Sequence, residues 1–236
     1  MPAFLEDITP FIGNGSRNEK GQTLEEFLEA YDPSKYESPS VTADVMVFKY
    51  AGELTSAYDK LSILMVKRRN HPSIGLWALP GGFCEMREDI CESARRELEE
   101  ETGLKNIPIE QVYTWGEAWR DPRDRIITTA FIALVDETVH EPVAGDDAAE
   151  AEWFDISFSK VKEEIVNECG RERVKSTYSI VLSCESVQEK CAATVVVTEN
   201  TSGLLKETRY EVTESTNIAF DHARFIVNGL LYIDNM

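Results

Sequence analysis

The stretch from Asp89 to Leu104 has both ends of a helix written into it, and it constrains the chain more than any other segment. Asp89 is a favoured N-cap residue, and Glu92, three positions on, completes a capping box. Ile90, Ala94 and Leu98 recur at helical spacing and make one apolar stripe. Gly103 supplies the left-handed residue that ends a helix, and Leu104 can make the accompanying hydrophobic contact. This predicts a helix over 89–102 that packs on one side and exposes the other.

Around that helix the sequence is rich in strands. Val41–Tyr50 and Leu61–Val66 read as strands joined by a hairpin loop at 52–59. Pro80-Gly81-Gly82 reads as a sharp turn. Val112–Trp119 and Ile126–Val135 read as two more strands, and Ala151–Phe154 as a short strand or strand end. Tyr178–Cys184, Ala192–Thr198 and Thr208–Val212 are β-rich. Ser159–Asn167 looks helical, as does Ala219–Ile233. Near the start, Thr23 and Glu26 frame a short helix, after which Pro33 and Pro39 break the chain. The class is α/β or α+β with a mixed sheet. The division is an N-terminal extension, 1–40, carrying the short helix, and one domain, 41–236, with a β-rich insertion at about 157–215.

Composition excludes several classes of function. The net charge of −19 disfavours a nucleic-acid partner, whose backbone needs basic contacts. The longest apolar runs, such as Ile126–Val135, are too short to cross a bilayer. The first residues lack the basic and apolar regions of a signal peptide. Cys84, Cys91, Cys169, Cys184 and Cys191 show no C-x2-C spacing, so reduced thiols and a cytoplasmic location are expected. His71, His140 and His222 are too scattered for a metal site, and no Ser-His-Asp or Cys-His arrangement is visible.

The chemistry lies in the acidic face of the 89–102 helix. Glu97, Glu100 and Glu101 stand at i, i+3 and i+4, opposite the apolar stripe. Alone, such a cluster is satisfied by water. Crowded carboxylates repel, and divalent cations between them relieve the repulsion. Carboxylate oxygens are natural ligands of Mg²⁺ or Mn²⁺, and a cation held this way can bridge phosphate oxygens and activate water. The acids also stand at fixed offsets from other residues: Gly82, then Glu88, then Arg96 immediately before Glu97, then Gly103 and Leu104.

Those offsets match every fixed position of the Nudix box, G-x5-E-x7-R-E-U-x-E-E-x-G-U, and Trp77–Phe83 ahead of it is also similar to that family. The resemblance implies a Nudix-type α/β/α sandwich that cleaves the pyrophosphate of a nucleoside diphosphate linked to another group. It implies metal binding by the Gly82 carbonyl and by Glu97, Glu100 and Glu101. Arg96 would orient Glu97, and Glu88 would support the loop. The general base would be Glu97 or a carboxylate outside the box. Asp146 and Asp147 are the candidates for an additional acid, with Glu150 behind them.

Arg120-Asp121-Pro122-Arg123-Asp124-Arg125 resembles a segment of the ADP-ribose pyrophosphatase branch. Arginine suits bidentate phosphate contacts, so Arg120, Arg123 and Arg125 are candidate substrate ligands. Arg68 stands at a strand end and could reach a phosphate. Trp77, Trp115 and Trp119 could stack on adenine or pack in the core, with Trp119 favoured because it adjoins Arg120. Residues 24–36 and Ile218–Ala223 also look like parts of this branch, whereas between Phe154 and Ile218 the match fades.

The expected reaction is hydrolysis of ADP-ribose to AMP and ribose 5-phosphate, with Mg²⁺ or Mn²⁺ as cofactor. A small-molecule nucleotide is the expected partner, with no membrane, and the resemblance favours a homodimer. The alternatives are a silent nucleotide sensor acting through a protein partner, and a hydrolase of nucleotide sugars, dinucleoside polyphosphates or oxidised nucleoside triphosphates. Some relatives are transcription regulators with a winged helix after the Phe-Asp-His segment. Here the sequence ends fourteen residues after His222, and a DNA-binding regulator is not expected.

Overall fold

A computed structural model describes residues 4–54, 56, 60–136, 138, 141–145, 148–168 and 170–236. The chain forms two compact units, Met1–Pro39 and Ser40–Met236. The first holds α1 (Leu24–Ala30) between two short 3-10 turns, and Thr23 and Glu26 make both hydrogen bonds of the expected capping box.

The second unit is built on a 10-stranded sheet. Its strands are β1 (Ser40–Tyr50), β2 (Leu61–Arg68), β3 (Trp77–Ala78), β4 (Gly81–Phe83), β5 (Glu110–Trp115), β6 (Ile126–Asp136), β7 (Ala148–Glu168), β8 (Arg171–Cys184), β9 (Glu189–Asn200) and β10 (Thr208–Thr216). Its helices are α2 (Ile90–Thr102) and α3 (His222–Ile233). The strand order is β10-β9-β8-β7-β2-β1-β6-β5, with β3 beside β2 and β4 beside β1. β1 and β6 are parallel, and the other paired strands are antiparallel.

β1 is central, so both of its faces are buried. Val45 and Val47 point to α2, where they meet Ala94, Leu98 and Leu104. Met46 and Phe48 point to α3, where they meet Phe225, Ile226 and Leu230. α3 is buried on nearly every side from His222 to Leu230, as its almost continuous apolar sequence requires. The sheet achieves this by curling. Tyr210 on edge strand β10 packs 5.4 Å from Trp115 on the opposite edge strand β5, and its hydroxyl accepts from Asn228 of α3. Trp115 in turn stacks on Phe225 at 4.7 Å.

Three expectations need correction. Ser159–Asn167 is strand, not helix. It forms the far half of β7, which pairs with β8 from Asp155↔Ser183 to Glu168↔Arg171, and Val161 is accommodated as a bulge. The spacing of Val161 and Ile165 mimics a helix, but both are exposed and bury no helical face. Ala151–Phe154 is the near half of this same strand. Pro80-Gly81-Gly82 is not simply a turn, because Gly81–Phe83 pairs with Thr42–Asp44 of β1. β5 ends at Trp115, leaving residues 116–119 in the loop that leads to Arg120.

Candidate active site

A cleft of about 410 Å³ opens where β1, β4, α2, the Arg120–Arg123 turn and the start of α3 converge. One wall carries carboxylates and the other carries arginines. The acidic wall follows from the pairing of β4 with β1, which sets Gly82 opposite Ala43 and Gly81 opposite Asp44. The end of α2 then folds back on this pair, and the Gly81 N–H donates to Glu101 Oε2 at 2.9 Å. Gly82 is required by the close approach of α2: a Cβ there would lie 2.5 Å from Glu97 Cδ.

Arg96 organises the acids of the helix. Its Nε donates to Glu88 Oε1 at 3.0 Å, and its Nη1 donates to Glu97 at 2.7 Å and Glu100 at 3.0 Å. Its Nη2 donates to the Phe83 carbonyl, tying the helix to the loop. Ser93 Oγ also holds Glu88. Glu97 and Glu101 line the cleft; Glu100 is more exposed and is drawn towards Arg96. Burial raises the Glu97 carboxyl above its ordinary range, against the pull of Arg96. Burial pushes Glu101 up to about 8, opposed by the Gly81 N–H and reinforced by the charges of Glu97 and Asp44.

This donor set suits a hard divalent ion. Glu97, Glu101 and the Gly82 backbone offer oxygen on one wall of the cleft, and the charge of Glu97 helps to raise the Glu101 carboxyl. Among the described residues, however, no three His, Cys, Asp or Glu side chains stand close enough to hold an ion as they lie. Asp146 and Asp147 fall outside the described residues. Glu150 is engaged with Lys67 at 3.2 Å.

The basic wall contains three of the candidate arginines. Arg120 lines the cleft but is committed. Its Nε and Nη2 grip Asp221 at 3.0 and 2.8 Å, and its Nη1 donates to Thr128. Arg123 pairs with Asp121 and lies over the rings of Phe83 and Phe220. Arg68 covers Phe220 at 4.9 Å and donates to the Pro72 carbonyl. Arg125 is exposed and does not line the cleft. Trp119 is 97% exposed and also lies outside it. Trp77 and Trp115 are core residues.

Sequence reasoning missed Asp44, Phe220, Asp221 and the placement of His222. Asp44 carried a signal, a lone charge in the middle of an apolar strand. It is 7% exposed, and burial pushes it up to about 7, against the charge of Arg120. Phe220 adopts φ 50°, an uncommon conformation for a bulky residue, and this places its ring between Arg68 and Arg123. His222 accepts from the Leu79 N–H through Nδ1 at 3.0 Å, and burial holds its pKa down to about 4. These residues reach the cleft because 217–219 runs alongside β3, where Ala219 N donates to the Trp77 carbonyl at 2.7 Å.

Comparison with known proteins bears on the family and the fold. The NUDIX domain family matches residues 41–166. The structure is similar to that of a MutT/nudix family protein from Enterococcus faecalis, with 28% identity and a TM-score of 0.59, covering 91% of this chain and 76% of that one. The sequence is 38% identical over 111 residues to the ADPR responsive transcriptional repressor NtrR of Acinetobacter baylyi, covering 46% of this chain and 42% of the repressor. It is 44% identical over 95 residues to an ADP-ribose pyrophosphatase of Methanocaldococcus jannaschii, covering 40% of this chain and 55% of that protein. The chain thus spans about half the length of the curated relatives it matches.

Proposed function

The chain belongs to the NUDIX domain family, and on that premise we propose that it is a metal-dependent pyrophosphohydrolase whose substrate is ADP-ribose or a close nucleoside diphosphate derivative. The observation that carries this reading is the two-walled cleft. Acids at Glu97 and Glu101 and arginines at Arg68 and Arg123 face one space large enough for a diphosphate. The likeness to an ADP-ribose pyrophosphatase supports the choice of substrate.

Glu97, Glu101 and the Gly82 carbonyl would hold Mg²⁺ or Mn²⁺, with Glu100 available at the rim. A divalent ion supplies charge neutralisation and a more acidic bound water. The chain's own residues do the positioning. Arg96 fixes Glu97 against the loop, which favours one orientation of its carboxylate as metal ligand or base. Arg123 and Arg68 give the phosphates partners across the cleft. Asp221 holds Arg120 rigid, so that Arg120 contributes field and shape.

Incubation of the protein with ADP-ribose and Mg²⁺ or Mn²⁺ should release AMP and ribose 5-phosphate, and Glu97→Gln should reduce the rate by two orders of magnitude or more. Unchanged turnover in Glu97→Gln would show that the site lies elsewhere.

The likeness to an ADPR-responsive repressor favours a second reading, a sensor that binds ADP-ribose without cleaving it. The same incubation separates the two, because a sensor binds ADP-ribose and leaves it intact with either metal.

A further inference from the structure

Asp44 and His222 stand side by side on the floor of the cleft, and neither is used by the proposed hydrolysis. Both side chains are at least nine-tenths buried. Among the described residues, no hydrogen bond reaches the Asp44 carboxylate. The nearest cationic side chains act on it through charge alone, Arg120, Arg123 and Arg68 among them. Its oxygens are not sealed from solvent, so the carboxylate is open to a partner that enters the cleft.

The neighbour of Asp44 is fixed in one tautomer. Leu79 N–H occupies His222 Nδ1, so the neutral ring carries its proton on Nε2. That Nε2 lies 3.8 Å from Asp44 Oδ1. The gap is too long for a direct hydrogen bond, yet one oxygen atom fits within about 2.8 Å of both.

Where Asp44 is ionised, the group that bridges the two must accept from His222 and donate to Asp44. A phosphate oxygen cannot donate and would be repelled by the carboxylate. A carbonyl cannot donate, and an exocyclic amine cannot accept. Water does both, and so does a ligand hydroxyl that displaces it.

We propose that Asp44 and His222 form a subsite for a sugar hydroxyl, so that the cleft selects a diphosphate carrying a ribose beside its phosphates. This rests on the pyrophosphohydrolase reading for the position of the phosphates. It makes Asp44 a specificity residue that touches substrate.

The test uses ADP-ribose and two analogues, one lacking hydroxyls on the terminal ribose and one lacking them on the adenosine ribose. Calorimetric binding in EDTA and kcat/KM with Mg²⁺ are measured for the wild type, Asp44→Ala and the isosteric Asp44→Asn. The wild type should prefer ADP-ribose to one analogue by about 10-fold or more, as expected for a hydrogen bond to a buried charge. In Asp44→Ala that preference should shrink to about 3-fold or less, with Asp44→Asn between the two. The analogue that shows the effect identifies which ribose is held.

A wild type indifferent to both analogues would overturn the subsite, and so would a preference that survives in both variants. An equal loss on ADP-ribose and both analogues would also overturn it, assigning Asp44 to the diphosphate chemistry instead. Selective binding through Asp44 without any hydrolysis would overturn the pyrophosphohydrolase reading and leave the subsite standing. If ADP-ribose is neither bound nor cleaved, both fall.

Discussion

Gly82 shows how closely the site is fitted. Adding one methyl group would place a carbon 2.5 Å from Glu97 Cδ, and Glu97 cannot retreat freely because Arg96 ties it to the helix and the loop. Gly82→Ala is therefore expected to lower kcat on ADP-ribose by about 100-fold, the scale of a displacement near 1 Å. Circular dichroism should show the fold unchanged, and full activity would mean that the position of Glu97 is unimportant. This glycine was legible in the sequence because its offset from the acids is fixed. Asp221 was legible only as part of a helix start. Arg224 stands at local i, i+3 spacing from it, but its other partner, Arg120, is remote in sequence and no local pattern announces that pairing. Burial alone would raise Asp221, but the Arg120 hydrogen bonds and charge hold it below its ordinary 3.8. Its contribution to stability is thus complete above pH 3.8 and is lost only as pH falls through the lower folded value. Asp221→Asn should cost about 3–5 kcal/mol at neutral pH, because it takes the carboxylate from buried Arg120, whereas Arg224 keeps its pairing with Glu117. Denaturant titrations at pH 7, 5 and 3 should show the gap between wild type and variant narrowing only at the most acidic point. A gap of constant size would sink the assignment.

At the scale of elements, the helices could be read because their ends and stripes are local. Asp89, Glu92 and Gly103 act within a few residues of themselves, and the structure shows the capping box and the left-handed C-terminal glycine. β7 could not be read in the same way. Its far half is rich in Lys and Glu, residues at ease in a helix, and only the hydrogen-bond ladder offered by β8 makes it a strand. The cleft shares this difficulty, since its basic wall depends on 217–219 reaching β3 across a long sequence separation. α3 offers a test in which two effects compete. Gly229 lies in a helix interior, where alanine is favoured by about 1 kcal/mol. A Cβ there would meet Met46 Sδ at 2.7 Å and a ring carbon of Phe48 at 3.1 Å, and both side chains are fully buried. Both side chains are packed in the core between β1 and α3, so the clash should win. Gly229→Ala is expected to destabilise the protein by about 1–3 kcal/mol in denaturant titrations, and a stabilised variant would show that the α3–β1 contact is looser than described.

For the molecule as a whole, the net charge of −19 opposes a polyanionic substrate and concentrates the problem in the cleft. Glu101 and Glu97 both line the cleft, and partial burial raises both carboxyls. Without a cation, these acids cost stability; with one, they contribute to it. The same substitution should therefore have opposite effects in the two conditions. In EDTA, Glu101→Gln should melt at or above the wild-type temperature, because it removes an acid that desolvation forces to hold its proton far above its ordinary range. In Mg²⁺, the wild type should gain up to about 2.7 kcal/mol when the ion is a hundredfold above its Kd, and the variant should lose most of that gain. General screening of an acidic surface would also raise the melting temperature, so NaCl at matched ionic strength is the necessary comparison. If Mg²⁺ stabilises wild type and Glu101→Gln equally, the ion acts on the overall field of the protein and not at the carboxylates of α2. The acidic helix would then need another explanation than metal binding.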